Sequence, residues 1–276
     1  MSDSMWQGSG VDLDAYLTRV GYEGDVAANL VTLQRLHAAH VEAIPFDNLD
    51  PLLGRTEVPL DIAHVQEKIV RQGRGGWCLE QVALMAAVLE RIGFTFTAFA
   101  GRTRIRTGSP FGPALHVALA VHAEDGLWLH DVSFGAYGLH EPMRLMDGAR
   151  LDGDFSFDLV REMSGERVLR FLRPEGPAEL YGFTMDMRYP SDFELLNHFC
   201  LTHPRSPFNH RVVLQRTQAR VRHLLVGNQL TELQPGEPAA VRELDEAEVL
   251  AALQEIFGIS LRSADIMALG KVLAGR

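Results

Sequence analysis

The residue that the sequence most clearly marks as reactive is Cys78, which follows the glycine-rich segment 74–77. A helix-like apolar pattern begins at this cysteine, so the glycines let the chain turn and place the thiol in the first turn of a helix. The free N–H groups and the positive dipole end of a helix N-terminus favour a thiolate over a thiol. Cys78 is therefore a candidate nucleophile, although most isolated cysteines are buried and inert.

A nucleophilic cysteine needs a base, and the base needs a partner that orients it. Among the 11 histidines, His116 opens a predicted strand, and Asp131 lies in the next one. In an antiparallel hairpin with an even-length loop, two residues whose numbers sum to an odd value share a face. His116 and Asp131 pass this test, His130 fails it against His116, and a four-residue loop at 122–125 places the first two directly opposite. The spacing predicts a Cys-His-Asp set.

Two regions of different periodicity must position these residues. Up to residue 93 the apolar residues follow a helical period, which predicts helices at about 13–20, 30–44, 61–71 and 78–92. From Phe94 the pattern alternates with a period of two, and short strands continue past residue 180, which favours an antiparallel sheet or barrel. We place one boundary near Gly93 and another near residue 200. The remaining part is mixed, with a capping box at Asp245 and Glu248 and a last helix around 264–273.

Composition excludes several classes of protein. At about 150 residues per domain, 276 residues correspond to roughly two domains. A net charge of −10 provides no general electrostatic footprint for nucleic acid or an anionic membrane. Two cysteines form no disulfide framework, and the chain shows neither a signal peptide nor an apolar run of ~20 residues. We therefore expect a cytoplasmic protein with no nucleic-acid or membrane partner.

Several segments together resemble the bacterial arylamine N-acetyltransferases, from about residue 10 to the C-terminus. The segments are Ile44–Leu49, Arg74–Glu80, His116–Leu119, Asp131–Gly135 and Thr202–Phe208. The intervals from Cys78 to His116 and from His116 to Asp131, 38 and 15 residues, also match the triad of that family. Asp47 stands where glutamate is usual in the family, and Ser133 stands where glycine is common.

This resemblance implies an α+β fold in three parts. An N-terminal helical bundle (1–93) carries the cysteine, a central antiparallel β-barrel (94–200) carries the histidine and aspartate, and a C-terminal α/β lid (201–276) follows. The implied Cys-His-Asp core is like that of cysteine proteases and transglutaminases.

The resemblance also implies a reaction. Cys78 takes an acetyl group from acetyl-CoA and passes it to an arylamine, hydrazine or N-hydroxyarylamine with ping-pong kinetics. His116 removes the thiol proton, or the pair rests as thiolate and imidazolium, while Asp131 holds the imidazole. The residues that line the acceptor pocket by resemblance are Phe46, Phe134 and Phe208. The residues placed beside CoA are Gly112, Pro113, Phe199 and Arg205. We expect no metal, and the chain to be a monomer or a homodimer.

Three other functions remain open from the sequence. A Cys-His-Asp triad also cleaves amide bonds, so the chain is alternatively a hydrolase. The same scaffold serves an amide synthase of natural-product biosynthesis, or a ligand-binding relative without activity. Arg102, Arg104 and Arg106 alternate along a predicted strand and form a candidate phosphate patch, although a solvated strand face is the favoured interpretation. Cys200 is interpreted as a packed residue.

Overall fold

The computed structural model describes residues 4–105, 110–124, 126–151, 154–206 and 208–274. The α-helices in these ranges are α1 (Leu13–Val20), α2 (Leu30–Ala43), α3 (Leu49–Leu52), α4 (Ile62–Gln66), α5 (Cys78–Ile92), α6 (Pro190–Thr202), α7 (Glu246–Glu255) and α8 (Ser263–Ala274). The strands are β1 (Phe46–Asp47), β2 (Thr95–Thr103), β3 (His116–Ala123), β4 (Gly126–His130), β5 (Met143–Arg144), β6 (Arg150–Leu151), β7 (Ser156–Arg161), β8 (Arg167–Arg173), β9 (Gly176–Phe183), β10 (Val213–Thr217), β11 (Arg222–Val226), β12 (Gln229–Leu233) and β13 (Ala240–Glu243). A 3-10 turn covers Gly8–Gly10, and a π-helical turn, Glu67–Arg71, continues α4.

The four predicted N-terminal helices begin and end within about one residue of the predicted positions, whereas the short helix α3 was not predicted. Asp12 accepts a hydrogen bond from the backbone N–H of Ala15 at 3.1 Å and so caps α1, and α2 ends before Pro45. α5 is apolar on nearly all sides and lies at the centre of the largest buried cluster, so it forms the axis of the helical part. The predicted helix at 61–71 is corrected in one respect, since its second half is π-helical.

Strands β2 to β9 form one antiparallel sheet in the order β5-β4-β3-β2-β9-β8-β7-β6, which curves into a nearly closed barrel. The β3–β4 hairpin has the predicted face but not the predicted register. Ala123 pairs with Gly126 and Leu119 with His130, so two residues connect the strands instead of four. Because both loop lengths are even, His116 and Asp131 still share a face, but they lie diagonally and Asp131 follows the end of β4.

The C-terminal sheet has the order β1-β10-β11-β12-β13 and takes its first strand from the helical region. Phe46 of β1 pairs with Gln215 of β10, which joins the N-terminal helical region to the C-terminal sheet. The predicted capping box is confirmed, since the backbone N–H of Glu248 donates to Asp245 at 2.9 Å and the reverse bond is 2.8 Å. The helices α7 and α8 pack on this sheet and bury a third apolar cluster.

Arg102 and Arg104 each contact other parts of the protein. Arg102 donates to the carbonyl oxygen of Gly112 at 2.7 Å. Arg104 is buried and forms ion pairs with Glu162, Glu166 and Glu179 at 2.6, 2.5 and 3.1 Å. Arg104 is therefore neither a solvated residue nor a free phosphate ligand, and Arg106 lies outside the described residues.

Buried histidines connect the helical part to the barrel. His37 Nδ1 lies 3.2 Å from His130 Nδ1, while His40 contacts the hydroxyl of Tyr16 at 3.0 Å and the Gln81 side chain at 3.3 Å. Burial lowers the pKa of His37 to about 4 and that of His40 to about 3, and it also lowers the pKa of His130. All three histidines are therefore neutral in the folded protein at neutral pH.

We expect these histidines to make the fold sensitive to acid. Between pH 6.5 and 4 the unfolded chain binds protons that the folded chain does not, so the free energy of unfolding falls as the pH falls, by about 1.4 kcal/mol per pH unit for each histidine. Urea unfolding between pH 6.5 and 5 measures this slope. His40→Gln should reduce it by about one proton, whereas His64→Gln, at an exposed site, should leave it unchanged. A slope equal in all three proteins would contradict the assignment.

Candidate active site

The segment that leads to Cys78 lies directly against strand β1. The N–H of Gly76 donates to the carbonyl oxygen of Pro45 at 3.2 Å, and the N–H of Asp47 donates to Gly76 at 3.2 Å. A Cβ at Gly75 would lie 2.2 Å from the Pro45 oxygen. Glycine is therefore required at 75 because two backbones approach closely, and not because of the turn that the sequence indicates.

We expect Gly75→Ala to destabilise the protein by about 2–4 kcal/mol, since the added methyl must push two hydrogen-bonded segments apart. Differential scanning calorimetry or urea unfolding measures the loss. Gly112→Ala is the matched control for stability, because nothing lies within 4 Å of its Cβ position and its φ is not positive. A Gly75→Ala protein as stable as the control would show that the close approach is not a constraint.

Buried charges hold the start of α5 in place. Glu80 accepts a hydrogen bond from the backbone N–H of Trp77 at 3.2 Å and pairs with Lys68 at 2.7 Å. Arg74 donates a hydrogen bond to Asp47 at 3.1 Å, which connects the segment before Cys78 to strand β1. Lys68 and Arg74 also contact Asp50, at 2.6 and 3.4 Å. A cavity of about 370 Å³ lies among these side chains, and no triad residue lines it.

Cys78, His116 and Asp131 are brought together at the junction of α5 and the barrel. Asp131 Oδ2 lies 2.8 Å from His116 Nε2, and both side chains are buried. The Cys78 sulfur lies 3.7 Å from the carbonyl oxygen of Leu115, and the neighbouring His116 imidazole interacts with the thiol and lowers its pKa against the effect of burial. The imidazole thus interacts with both the thiol and the carboxylate, as a base does between a nucleophile and an orienting acid.

Ser133 contributes to this arrangement. Its backbone N–H donates to Asp131 Oδ1 at 3.1 Å, and its hydroxyl lies 3.4 Å from the same oxygen and from the carbonyl oxygen of Val117. The serine therefore helps to orient the carboxylate, a role that its position in the sequence does not indicate.

The electrostatics of the three groups are coupled. Burial lowers the pKa of His116, but the negative charge and hydrogen bond of Asp131 outweigh this effect and raise it to about 10. Burial raises the pKa of the Cys78 thiol, and His116 opposes this effect. This direction is opposite to the one that a helix start alone favours. Formation of a thiolate at Cys78 therefore depends on a protonated His116.

Two aromatic rings enclose His116. Phe134 meets its imidazole edge-on with centroids 4.9 Å apart, and Tyr181 of β9 lies 4.7 Å away on another side. The Tyr181 hydroxyl faces Asp131 and helps to lower its pKa, without a hydrogen bond of ordinary geometry. Sequence reasoning missed Tyr181. The sequence signal for this contact was the glycine at position 101 within a strand. Gly101 of β2 pairs with His116 of β3, and a Cβ at Gly101 would lie 2.8 Å from the Tyr181 ring.

The predicted acceptor-pocket residues lie in two groups. Phe208 contacts Phe46 and Trp77, with ring centroids 5.7 and 6.0 Å apart, so these three aromatic rings form a cluster, and Trp77 directly precedes the cysteine in the chain. Phe134 lies instead against His116. Trp77 was not predicted in this cluster, although its place directly before Cys78 was a signal.

The residues predicted beside CoA also form two groups. Gly112 and Pro113 precede β3. Arg102 donates to the carbonyl oxygen of Gly112, and the backbone N–H of Leu115 donates to that of Pro113 at 3.1 Å. Phe199 stacks on His203 at 4.3 Å, and the N–H of the exposed Arg205 donates to His203 at 3.1 Å. Each group is ordered by its own local contacts.

The described residues contain neither a candidate metal site nor a membrane-spanning helix. No group of three histidine, cysteine or acidic side chains in that part of the chain is arranged to hold a metal ion. None of the helices in the described ranges combines the length and apolar character needed to cross a bilayer.

Known proteins match this chain over nearly its whole length. A sequence model of the family described as N-acetyltransferase matches residues 29–266. The arylamine N-acetyltransferase of Escherichia coli (strain K12) is 32% identical over 261 residues, which cover 91% of this chain and 90% of that protein.

Solved structures of the family also match. The arylamine N-acetyltransferase from Mycobacterium abscessus superimposes with a TM-score of 0.94 at 36% identity, covering 100% of this chain and 99% of that one. The Mycobacterium marinum enzyme in complex with CoA has a TM-score of 0.87 at 29% identity, with coverage of 95% and 99%. Sequence and fold therefore agree over almost all of both chains, and this chain belongs to the arylamine N-acetyltransferase family.

Proposed function

We propose that this enzyme, an acyltransferase, moves the acetyl group of acetyl-CoA to arylamines, hydrazines and N-hydroxyarylamines through an acetyl-cysteine at Cys78. The observation that carries the proposal is the buried His116, whose Nε2 lies 2.8 Å from the Asp131 carboxylate and whose imidazole interacts with the Cys78 thiol and opposes the rise of its pKa. The family relationship supports the acyl transfer, and the relative from M. marinum supports CoA as the donor, because it was solved in complex with CoA.

In the first half-reaction the sulfur of Cys78 attacks the thioester carbonyl carbon of acetyl-CoA. A new S–C bond forms at Cys78, the bond from carbon to the CoA sulfur breaks, and CoA leaves as a thiol with the proton that His116 holds. One thioester replaces another, so the step has little change in free energy. Asp131 keeps the imidazole oriented and stabilises its charge. All three side chains are buried, so little water surrounds the reacting groups.

In the second half-reaction the acceptor nitrogen attacks the acetyl carbon and the S–C bond breaks. The neutral His116 accepts the proton of the nitrogen, and the thiol proton is then shared again between Cys78 and His116. The two half-reactions use one site in turn, so the kinetics are ping-pong. The rings of Phe46, Phe134 and Phe208 supply flat apolar surfaces suited to an aromatic amine.

Intact-protein mass spectrometry tests the proposal directly. Incubation with acetyl-CoA and no acceptor should add one acetyl group, and peptide mapping should place it on Cys78. Addition of an arylamine should remove the adduct and yield the acetylated amine. Release of free acetate at a rate that does not depend on the amine would support a hydrolase instead.

Phe208 and Arg205 provide a separate test of the binding residues. We expect Phe208→Ala to change the relative kcat/KM among arylamines of different size, by about 10-fold for the loss of an aromatic contact. Arg205→Ala should mainly raise the KM for acetyl-CoA, with a milder effect on p-nitrophenyl acetate, which has no nucleotide. Steady-state kinetics with both donors measures these effects. Variants that treat every donor and acceptor as the wild type does would show that segment 202–208 is structural only.

A further inference from the structure

A tight turn of residues 135–138 directly follows Phe134. The N–H of Gly138 donates to the carbonyl oxygen of Gly135 at 2.7 Å, and Gly135 has a φ of 86°. A Cβ at Gly135 would lie only 2.4 Å from the side chain of Gln215. Glycine is thus required twice at this position, by its backbone angle and by the close approach of the C-terminal sheet.

Three side chains of the C-terminal sheet bind the polar groups of this turn. The Gln215 side-chain oxygen accepts from the N–H of Ala136 at 3.1 Å, and the Thr217 hydroxyl donates to Gly135 at 2.8 Å. The guanidinium of Arg222 donates to the carbonyl oxygens of Ala136 and Gly138 at 3.2 and 2.6 Å. We call Gln215, Thr217 and Arg222 the turn clamp.

The register of the sheet explains how the clamp forms. Gln215 and Thr217 are two residues apart on β10 and therefore point to the same face, and Thr217 pairs with Arg222 of β11. On the other side of β10, Gln215 pairs with Phe46. The same face of this sheet thus carries both the clamp and one of the proposed acceptor-pocket rings.

Arg222 is an unusual residue for a purely structural role. It is buried, and its guanidinium lies 4.0 Å from the centroid of the Phe155 ring and 5.6 Å from that of Phe157. Burial lowers its pKa to about 9, and no carboxylate of the described residues forms an ion pair with it. A buried cation without an ionic partner opposes folding, and the ring faces and two carbonyl oxygens only partly offset this effect. The contacts of Arg222 with the two carbonyl oxygens stabilise the turn.

We propose that the turn clamp positions Phe134 and thereby sets which arylamines the acetyl-enzyme accepts. The clamp residues are positioning residues, since they act through the turn on Phe134, whose ring meets the His116 imidazole edge-on at 4.9 Å. This inference rests on the proposed function. The clamp acts on the acceptor side, because the turn continues the chain from Phe134, whereas the loop at Gly112 and Pro113 has separate contacts.

Thr217→Val tests the clamp with the smallest change in shape, because it removes the hydroxyl that binds Gly135 and retains the volume. Thr217→Ser restores a hydroxyl, and Arg222→Lys keeps the charge but not the fork that reaches two carbonyl oxygens. Thr231→Val is the matched control, since Thr231 lies two strands further out, opposite Leu224. Each protein is assayed for acetyl-enzyme formation from p-nitrophenyl acetate, and then for kcat/KM with aniline and with 2-aminofluorene.

We expect Thr217→Val to shift the ratio of the two kcat/KM values by about fivefold or more, the factor expected for one lost hydrogen bond. Its burst of acetyl-enzyme formation should stay within about twofold of wild type, a difference too small to reflect a lost interaction. Arg222→Lys should shift the ratio in the same direction, and Thr217→Ser and Thr231→Val should leave it at the wild-type value.

Three outcomes would contradict the clamp or the proposed function. A ratio unchanged in Thr217→Val and Arg222→Lys, with wild-type acetyl-enzyme formation, would overturn the clamp and leave the proposed function intact. A wild-type protein that forms no acetyl-cysteine would overturn the proposed function itself. A loss of burst and of both acceptor activities in equal proportion would show that the three residues serve stability alone.

Discussion

Replacement of Cys78 by alanine should reduce acetyl transfer by about 10³-fold or more, because no other group can carry the acetyl intermediate. Cys78→Ser should be impaired to a similar degree, since a serine hydroxyl is a far weaker nucleophile at the same position. Both variants should retain the fold, because the side chain is small and its contact with the Leu115 carbonyl oxygen, at 3.7 Å, is long. Turnover of acetyl-CoA with an arylamine, together with intact mass after acetyl-CoA addition, measures the loss.

Cys200 is the matched control for Cys78. It lies in the same buried cluster, and burial raises the pKa of its thiol to about 12, so it is a poor nucleophile at neutral pH. Cys200→Ala should therefore keep most of the activity and still take one acetyl group. An active Cys78→Ala enzyme, or an acetyl group mapped to Cys200, would contradict the mechanism.

Loss of His116 should have the second large effect. Burial raises the pKa of Cys78, and the interaction with His116 opposes this effect. In His116→Gln burial acts alone, so the thiol pKa rises further and less thiolate exists at pH 7. We expect acetyl transfer to fall by about 10³-fold. Alkylation by iodoacetamide at pH 7 should fall as well, because the thiolate is the form that reacts.

Asp131→Asn should act in the same direction through a different group. The charge of Asp131 raises the pKa of His116 to about 10, and without that charge burial lowers it, so the imidazole is neutral at pH 7. A neutral imidazole cannot stabilise the thiolate. His122→Gln, at an exposed site on the same strand as His116, is the control and should behave as wild type. A rate profile of alkylation from pH 5 to 10 that is identical in all four proteins would show that the base lies elsewhere.

The amino-acid sequence by itself determined the chemistry and the local elements. Cys78 could be recognised from the glycines before it and the apolar period after it, because both are properties of neighbouring residues. His116 and Asp131 could be assigned to one face by parity alone, and parity survives any even change in loop length. The helix ends at Asp12, Pro45 and Gly93 were likewise predictable, since caps and breakers act within a few residues.

Tertiary structure decided what depends on residues far apart in the chain. The β3–β4 register, the approach of Pro45 to Gly75 and the ring of Tyr181 over His116 all require packing between distant segments. The direction of the Cys78 pKa shift also came from packing, because burial depends on what surrounds the thiol and not on its place in the helix. The clamp of Gln215, Thr217 and Arg222 on the 135–138 turn has no signature in the sequence, since about 80 residues separate its two sides.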